Sequence, residues 1–218
     1  MSPAGEVEYA AYLAALLAGD RWACHQTFVA WLERGVELRV IYEDLVQRSL
    51  YDVGLGWERG EVSVATEHLA TAITESLLNI VYPRLFQGPR NGRSAVVTCL
   101  ANEYHQMGGR LVADVFELHG WRSYFLGANT PLRDVIDLTG DKRPAVVALS
   151  LTVPVGLGVL CEATAALRAA FPRLPILVGG QAFRWGGRER AEALEDVRYL
   201  GTLGELEAWM QSFPGHAR

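Results

Sequence analysis

The spacing of apolar residues along the chain changes character once. From residue 5 to about residue 86 it has the helical period. EVEYAAYLAALLAG is rich in Ala and Leu and ends at Gly19-Asp20, RWACHQTFVAWLER stops at Gly35, and ELRVIYEDLVQRSLYDVGLGW follows. After Arg59-Gly60 comes VSVATEHLATAITESLLNIVYPRLF. In this last segment Leu69, Ile73, Leu77 and Ile80 recur every three to four residues, which predicts an apolar stripe down one helix face. Four amphipathic helices joined by short loops predict a compact four-helix bundle over 5–86.

Residues 87–93, QGPRNGR, are polar and contain two Gly and a Pro, which reads as a linker. Beyond it the pattern shortens. SAVVTCL, WRSYFLG, PAVVALSLT, LPILVGG and VRYLG are brief runs of β-branched, aromatic and apolar residues. They alternate with helical patterns at about 107–119, 131–139, 156–171, 185–194 and 203–213. Alternating strand and helix predicts an α/β domain over 94–215, a parallel sheet with helices on both faces. Five strands suggest the flavodoxin-like, Rossmann-type order, with ligands bound beyond the carboxyl ends of the strands.

Composition narrows the function classes. Half of the 218 residues are apolar and 21% are charged, with a net charge of −5. This balance gives no reason to expect direct nucleic-acid binding. No apolar run approaches the ~18–20 residues of a membrane span, and MSPAGEVEYA lacks the plan of a signal peptide. Cys24, Cys99 and Cys161 are odd in number and far apart, which fits free thiols in a reducing cytoplasm. No nucleophile–base pair, phosphate loop or carboxylate dyad stands out, so the chain does not read as an enzyme in its own right.

The loop after the first predicted strand, ANEYHQMGG, falls at the expected ligand edge. His105 there can offer an imidazole nitrogen to a metal. Glu103 can accept the other ring N–H and so fix the tautomer. Gly108 lets the following helix approach its surroundings closely. A lone His is more often a solvated or capping residue, and one His does not make an ordinary protein metal site. It can be the single protein ligand of a metal that arrives inside a macrocycle.

Glu103-x-His105-x-x-Gly108, after a first strand and before a helix, resembles the Asp/Glu-x-His-x-x-Gly motif of cobalamin (vitamin B12)-binding domains, which carry a four-helix cap before the parallel-sheet domain. Ser150-Leu151-Thr152 at the third strand end is similar to the family's Ser-x-Leu, with Thr152 in place of Leu. Gly179-Gly180 at the fourth strand end matches its Gly pair. Ser150 otherwise reads as a strand-end turn residue and the Gly pair as a plain turn; the three motifs together carry the likeness, over about residues 8–213. It implies that His105 binds cobalt from below in place of the cofactor's own base. It also implies that Ser150 lies near the freed nucleotide tail, and that Gly179 and Gly180 leave room for that tail.

Trp57 is followed by Glu67-His68 after nine intervening residues. Glu67 is about 200° around the helix from Leu69, so it can point away from the apolar stripe. The spacing resembles the cap of CarH-type adenosylcobalamin-dependent photoreceptor regulators, in which the cap encloses the 5′-deoxyadenosyl group and light breaks the cobalt–carbon bond. The resemblance implies a cobalamin-based light sensor in transcription regulation. Trp57, Glu67 and His68 would lie above the corrin, and adenosylcobalamin would be the cofactor, ahead of methylcobalamin or hydroxocobalamin. Such regulators begin with a DNA-binding domain, whereas this sequence starts directly with the cap; either output would pass through a homo-oligomer or a separate regulatory, DNA-binding or signalling protein, or the sequence is a piece of a longer protein. Some members place a His directly after the Trp; here that residue is Glu58, so a second axial ligand after photolysis would come from His68 or not form at all. One alternative is a corrinoid methyl-carrier protein serving partner methyltransferases, which needs only the lower site. Another is an interaction module that has lost the cofactor. His25, His119 and His216 show no partner spacing, and Arg184 and Trp185 read as an edge of the nucleotide pocket, an oligomer contact or a helix start.

Overall fold

The computed structural model describes residues 3–185, 188–189, 193 and 197–214. Two compact units make up the chain, Met1–Pro83 and Arg84–Arg218.

The first unit is helical. Helices α1 (Pro3–Ala18) and α2 (Arg21–Glu33) are followed by a short α3 (Leu38–Val40) that runs through a π-helical segment, Ile41–Gln47, into α4 (Arg48–Glu58). The third helical pattern of the sequence is therefore one run with a widened middle. The π segment buries Ile41, Tyr42, Leu45 and Val46 together, and α4 then buries Ser49, Val53 and Gly56. Helix α5 (Val64–Val81) closes the bundle. Asp20 caps α2 by accepting from the Ala23 amide at 3.0 Å, and Ser63 caps α5 by accepting from Thr66 at 3.1 Å. Both satisfy amides that the first helical turn leaves without partners. The fourth pattern does not run to Phe86 as one helix. Pro83 lacks an amide hydrogen and disfavours the α conformation before it, and Tyr82–Arg84 form a 3-10 turn.

The buried face of α5 is Ala70, Ile73, Thr74, Leu77, Leu78 and Val81. Leu69 does not join it as expected. Leu69 is 44% exposed and lies over the α1–α2 turn, where a Cβ on Gly19 would sit 2.6 Å from its Cδ2. Ile73 and Leu77 are buried as predicted, and the stripe extends toward the following positions, the small Ala70, the polar Thr74, Leu78 and Val81, rather than toward Leu69. The Thr74 hydroxyl is satisfied by the Ala70 carbonyl at 2.8 Å.

The second unit contains β1 (Ser94–Cys99), β2 (Arg122–Phe125), β3 (Val146–Ser150), β4 (Ile176–Gly179) and β5 (Val197–Tyr199). They form one parallel sheet in the order β2-β1-β3-β4-β5, the predicted flavodoxin-like order. Helices α6 (Met107–Leu118), α7 (Leu132–Lys142), α8 (Leu157–Ala170) and α9 (Leu203–Ser212) connect or follow the strands. The predicted helix 185–194 lies largely outside the described residues. β1 and β3 are buried along nearly their whole length, as expected for central parallel strands covered on both faces. In register, Cys99 pairs with Ser150 and Ser150 with Gly179, so three motif-bearing strand ends lie side by side.

Residues 87–93 belong to this second unit. Asn91 Nδ2 donates to the His119 carbonyl at 2.9 Å, and the Arg93 guanidinium stacks on Trp121 and Phe213. Trp121 is 1% exposed and packs against Phe116, Trp209 and Phe213 at ring separations of 5.3, 6.1 and 5.3 Å. It joins the second strand to the last helix. Among the described residues, no helix is long and apolar enough to cross a membrane.

Replacing Trp121 with Ala should destabilise the second unit by about 3–5 kcal/mol, the cost of emptying a large aromatic site. Urea unfolding followed by far-UV circular dichroism measures it, and a cost below about 1 kcal/mol would show that the aromatic cluster is not the anchor of α9.

Candidate functional site

The residues of the first motif sit between the end of β1 and the start of α6. After Leu100, which bridges to Thr130 beyond β2, the chain turns through Asn102 at φ 67°. The turn is held from the β2–α7 loop: the Asn102 amide donates to Asn129 Oδ1 at 2.9 Å, and the Asn129 amide donates to the Glu103 carbonyl at 2.8 Å. The Glu103 side chain then points inward and is 3% exposed.

That carboxylate accepts on both oxygens. Oε1 takes the His105 amide at 2.9 Å and faces His105 Nδ1 at 2.6 Å. Oε2 takes the amides of Thr152 and Val153 at 2.7 and 3.3 Å. Burial pushes the Glu103 carboxyl upward. The hydrogen bonds from the His105 imidazole and from the His105 and Thr152 amides outweigh it and hold the group below its ordinary value. An ionised carboxylate facing Nδ1 selects the tautomer that donates there, which places the lone pair on Nε2. The His105 side chain is 53% exposed, and its neighbour Tyr104 is 67% exposed.

Gly108 and Gly109 let the first turn of α6 lie on the strand ends. A Cβ on Gly108 would stand 3.1 Å from Ser150 Oγ, and one on Gly109 would stand 3.2 Å from Phe125 Cε2 and 3.3 Å from Cys99 Sγ. Ser150 is consequently 8% exposed, lying beneath the helix start rather than on an open edge. Cys99 Sγ contacts the His105 carbonyl at 3.6 Å; burial pushes this thiol up to about 12, so it stays a thiol. Thr152, expected as a ligand contact, gives its backbone amide to Glu103.

Gly179 and Gly180 need their missing side chains for reasons internal to the chain. A Cβ on Gly179 would approach the Leu200 carbonyl to 2.7 Å, and one on Gly180 would collide with the Leu151 carbonyl. Gly180 also has φ +117°, a backbone that side chains rarely adopt. On the side where a Cβ would project, each glycine meets the chain's own backbone, beyond the β3 and β5 ends.

Trp57, Glu67 and His68 all belong to the helical unit. Trp57, in the last turn of α4, is 49% exposed. Glu67, in the first turn of α5, accepts from Thr71 Oγ1 at 3.1 Å, and His68 Nε2 is 3.6 Å from its carboxylate with the imidazole 75% exposed. The turn between them closes through Gly60, which donates to the Trp57 carbonyl at 2.9 Å at φ 73°. Trp22 is 72% exposed at the start of α2. α2 starts where α1 ends, at the turn that Leu69 covers, so Trp22 stands at the same end of the bundle. The sequence reading missed Asn129 and the Thr152 and Val153 amides. An Asn-Thr pair after the second strand was the available signal for Asn129; backbone amides leave none. His119, unassigned before, lies 3.7 Å from Glu207.

Among the described residues, no cluster of three or more His, Cys, Asp or Glu side chains could hold a metal ion. A metal bound by His105 would therefore bring its other ligands with it. A single exposed imidazole, oriented by a buried anion at the edge of a parallel sheet, fits a metal held in a macrocycle.

Comparison with known proteins gives the class. A B12 binding domain model matches residues 93–205, and a second B12 binding domain model matches residues 9–82. The chain belongs to the B12 binding domain family. It is 36% identical over 157 residues to the HTH-type transcriptional repressor CarA of Myxococcus xanthus, covering 69% of this chain and 51% of CarA. It is 31% identical over 147 residues to the HTH-type transcriptional repressor CarH of the same organism, covering 66% and 48%. The chain spans about half the length of these curated relatives. In fold it is similar to the Methanosarcina barkeri monomethylamine corrinoid protein, with a TM-score of 0.77 at 14% identity, covering 93% of this chain and 96% of that one.

Two outcomes test the site's internal logic. Gly180→Ala should cost about 2 kcal/mol or more, because strain at positive φ adds to the collision with the Leu151 carbonyl; equilibrium unfolding in urea reads it. Glu103 has a depressed folded pKa, so its stabilisation is fully present above the ordinary value of 4.5 and is lost as pH falls below that, through the folded value. The stability gap between wild type and Glu103→Gln should therefore shrink as pH falls below 4.5. A gap independent of pH down to 3 would show that the carboxylate's charge does not matter.

Proposed function

We propose that this chain is a cobalamin-binding regulatory module that uses His105 as the lower cobalt ligand, in the His-on, base-off mode, and responds to light through its upper ligand. The observation that carries the lower-site reading is the Glu103–His105 pair, an exposed imidazole whose tautomer is set by a fully hydrogen-bonded buried carboxylate. In this reading His105 orients the cofactor, while the α6 turn and the loop after β3 form the surface beside it. Ser150, Thr152, Gly179 and Gly180 flank the nucleotide tail. Trp57 packs on the adenosyl group, with Glu67 and His68 offering hydrogen bonds. The cofactor, when bound, supplies a cobalt–carbon bond that visible light can break. The regulatory half rests on the likeness to the CarA and CarH repressors and on the Trp57, Glu67, His68 spacing. Output would pass through a homo-oligomer or a separate DNA-binding or signalling partner in the cytoplasm.

A second reading, a corrinoid methyl carrier for partner methyltransferases, is favoured by the fold shared with the monomethylamine corrinoid protein. It uses the lower site alone and gives Trp57 and Glu67 no role.

Protein loaded with adenosylcobalamin in the dark should change its visible spectrum under green light and change its oligomeric state in the same exposure. His105→Ala should weaken cobalamin binding by about tenfold or more and remove the imidazole-bound spectrum. Trp57→Ala should reduce the preference for adenosyl- over methylcobalamin. A loaded protein that responds to light no differently from free cofactor would reject the sensor reading in favour of the carrier.

A further inference from the structure

The carboxylate of Glu103 does more than hold an imidazole. Its two oxygens divide their work between two segments far apart in sequence: Oε1 serves the amide and ring of His105, and Oε2 serves the amides of Thr152 and Val153. Those amides begin the β3–α8 loop, which continues into the short helical turn Pro154–Gly156 and carries Val155, 90% exposed. The group is almost fully buried and meets donors on every side. Both of its oxygens must therefore be acceptors, a demand that an ionised carboxylate meets and an amide does not. Side-chain length matters as well, because an Asp is shorter by one bond, about 1.5 Å, and from the same backbone position could not serve both segments.

We propose that Glu103 is a positioning residue that couples the ligand histidine to the loop after β3, so that loading a corrinoid on His105 tightens residues 152–156. This rests on the proposed lower-ligand role of His105. Coordination at Nε2 draws electron density from the ring and makes Nδ1–H a stronger donor. The stronger bond restrains the Glu103 side chain, and the same carboxylate then holds the Thr152 and Val153 amides more persistently. The state of the metal site reaches an exposed surface of the sheet domain in this way without a change of fold.

Amide hydrogen exchange resolved at single residues tests the coupling, with hydroxocobalamin as the probe. In the wild-type chain, exchange at Thr152 and Val153 should slow on the order of tenfold on loading. In Glu103→Asp the same amides should exchange faster without cofactor and lose their response to it. Amides inside β3, such as Val147 and Leu149, should stay as in the wild type, which separates lost coupling from a lost fold. Glu103→Gln should behave like the Asp variant although it keeps the side-chain length. Binding of hydroxocobalamin with an imidazole-bound spectrum but no change at Thr152 and Val153 would overturn the coupling and leave the cobalamin reading intact. So would a Glu103→Asp chain with the wild-type response. No binding of hydroxocobalamin by the wild-type chain would overturn the lower-ligand reading and the coupling with it.

Discussion

One buried anion organises the ligand edge of the sheet domain. Removing a carboxylate from water is costly unless its lone pairs are filled. Glu103 meets that condition by drawing in donors from its own loop and from the loop after β3, while its backbone carbonyl takes an amide from the loop after β2. Three strand-end loops are thereby fixed around a single residue, two of them by its side chain and one by its backbone. His105 gains a defined tautomer and a partly exposed ring as a consequence.

The parallel sheet makes this convergence available. In a parallel sheet every strand end of one kind lies at the same edge, and the register of β1, β3 and β4 brings Cys99, Ser150 and Gly179 into line. The small residues of the motifs then have mechanical roles. Gly108 and Gly109 seat the first turn of α6 on those ends, and Gly179 and Gly180 let backbone from neighbouring strand ends pass within contact distance.

The helical unit follows another principle. Its core is built from side chains of many sizes, with a π-helical segment that turns Ile41, Tyr42, Leu45 and Val46 inward together. The exposed side chains Leu17, Trp22, Trp57, Val64 and Leu69 belong to the helix ends nearest the α1–α2 and α4–α5 turns, while Val7 and Tyr82 are exposed elsewhere in the unit. That end also carries Glu67 and His68. Apolar surface left uncovered in this amount normally marks a contact surface, in keeping with the upper-ligand role proposed for it.

The sequence by itself determined the order of elements, the helical-then-α/β division, the strand order and the positions of the three strand-end motifs. Each of these follows from local signals: hydrophobic period, turn residues and the alternation of strand and helix. It also offered Glu103 as the partner of His105, two residues away in the same loop, and the turn of that loop brings them together. Only the tertiary structure decided the rest. The break at Pro83, the π segment and the displacement of Leu69 from the α5 stripe depend on how neighbouring helices pack. That Ser150 is covered, that the Gly pair makes way for the Leu151 and Leu200 carbonyls, and that Glu103 reaches the Thr152 and Val153 amides depend on close approaches between segments distant along the chain. Backbone amides and carbonyls are the same at every such position, so nothing in the order of side chains marks which of them will meet.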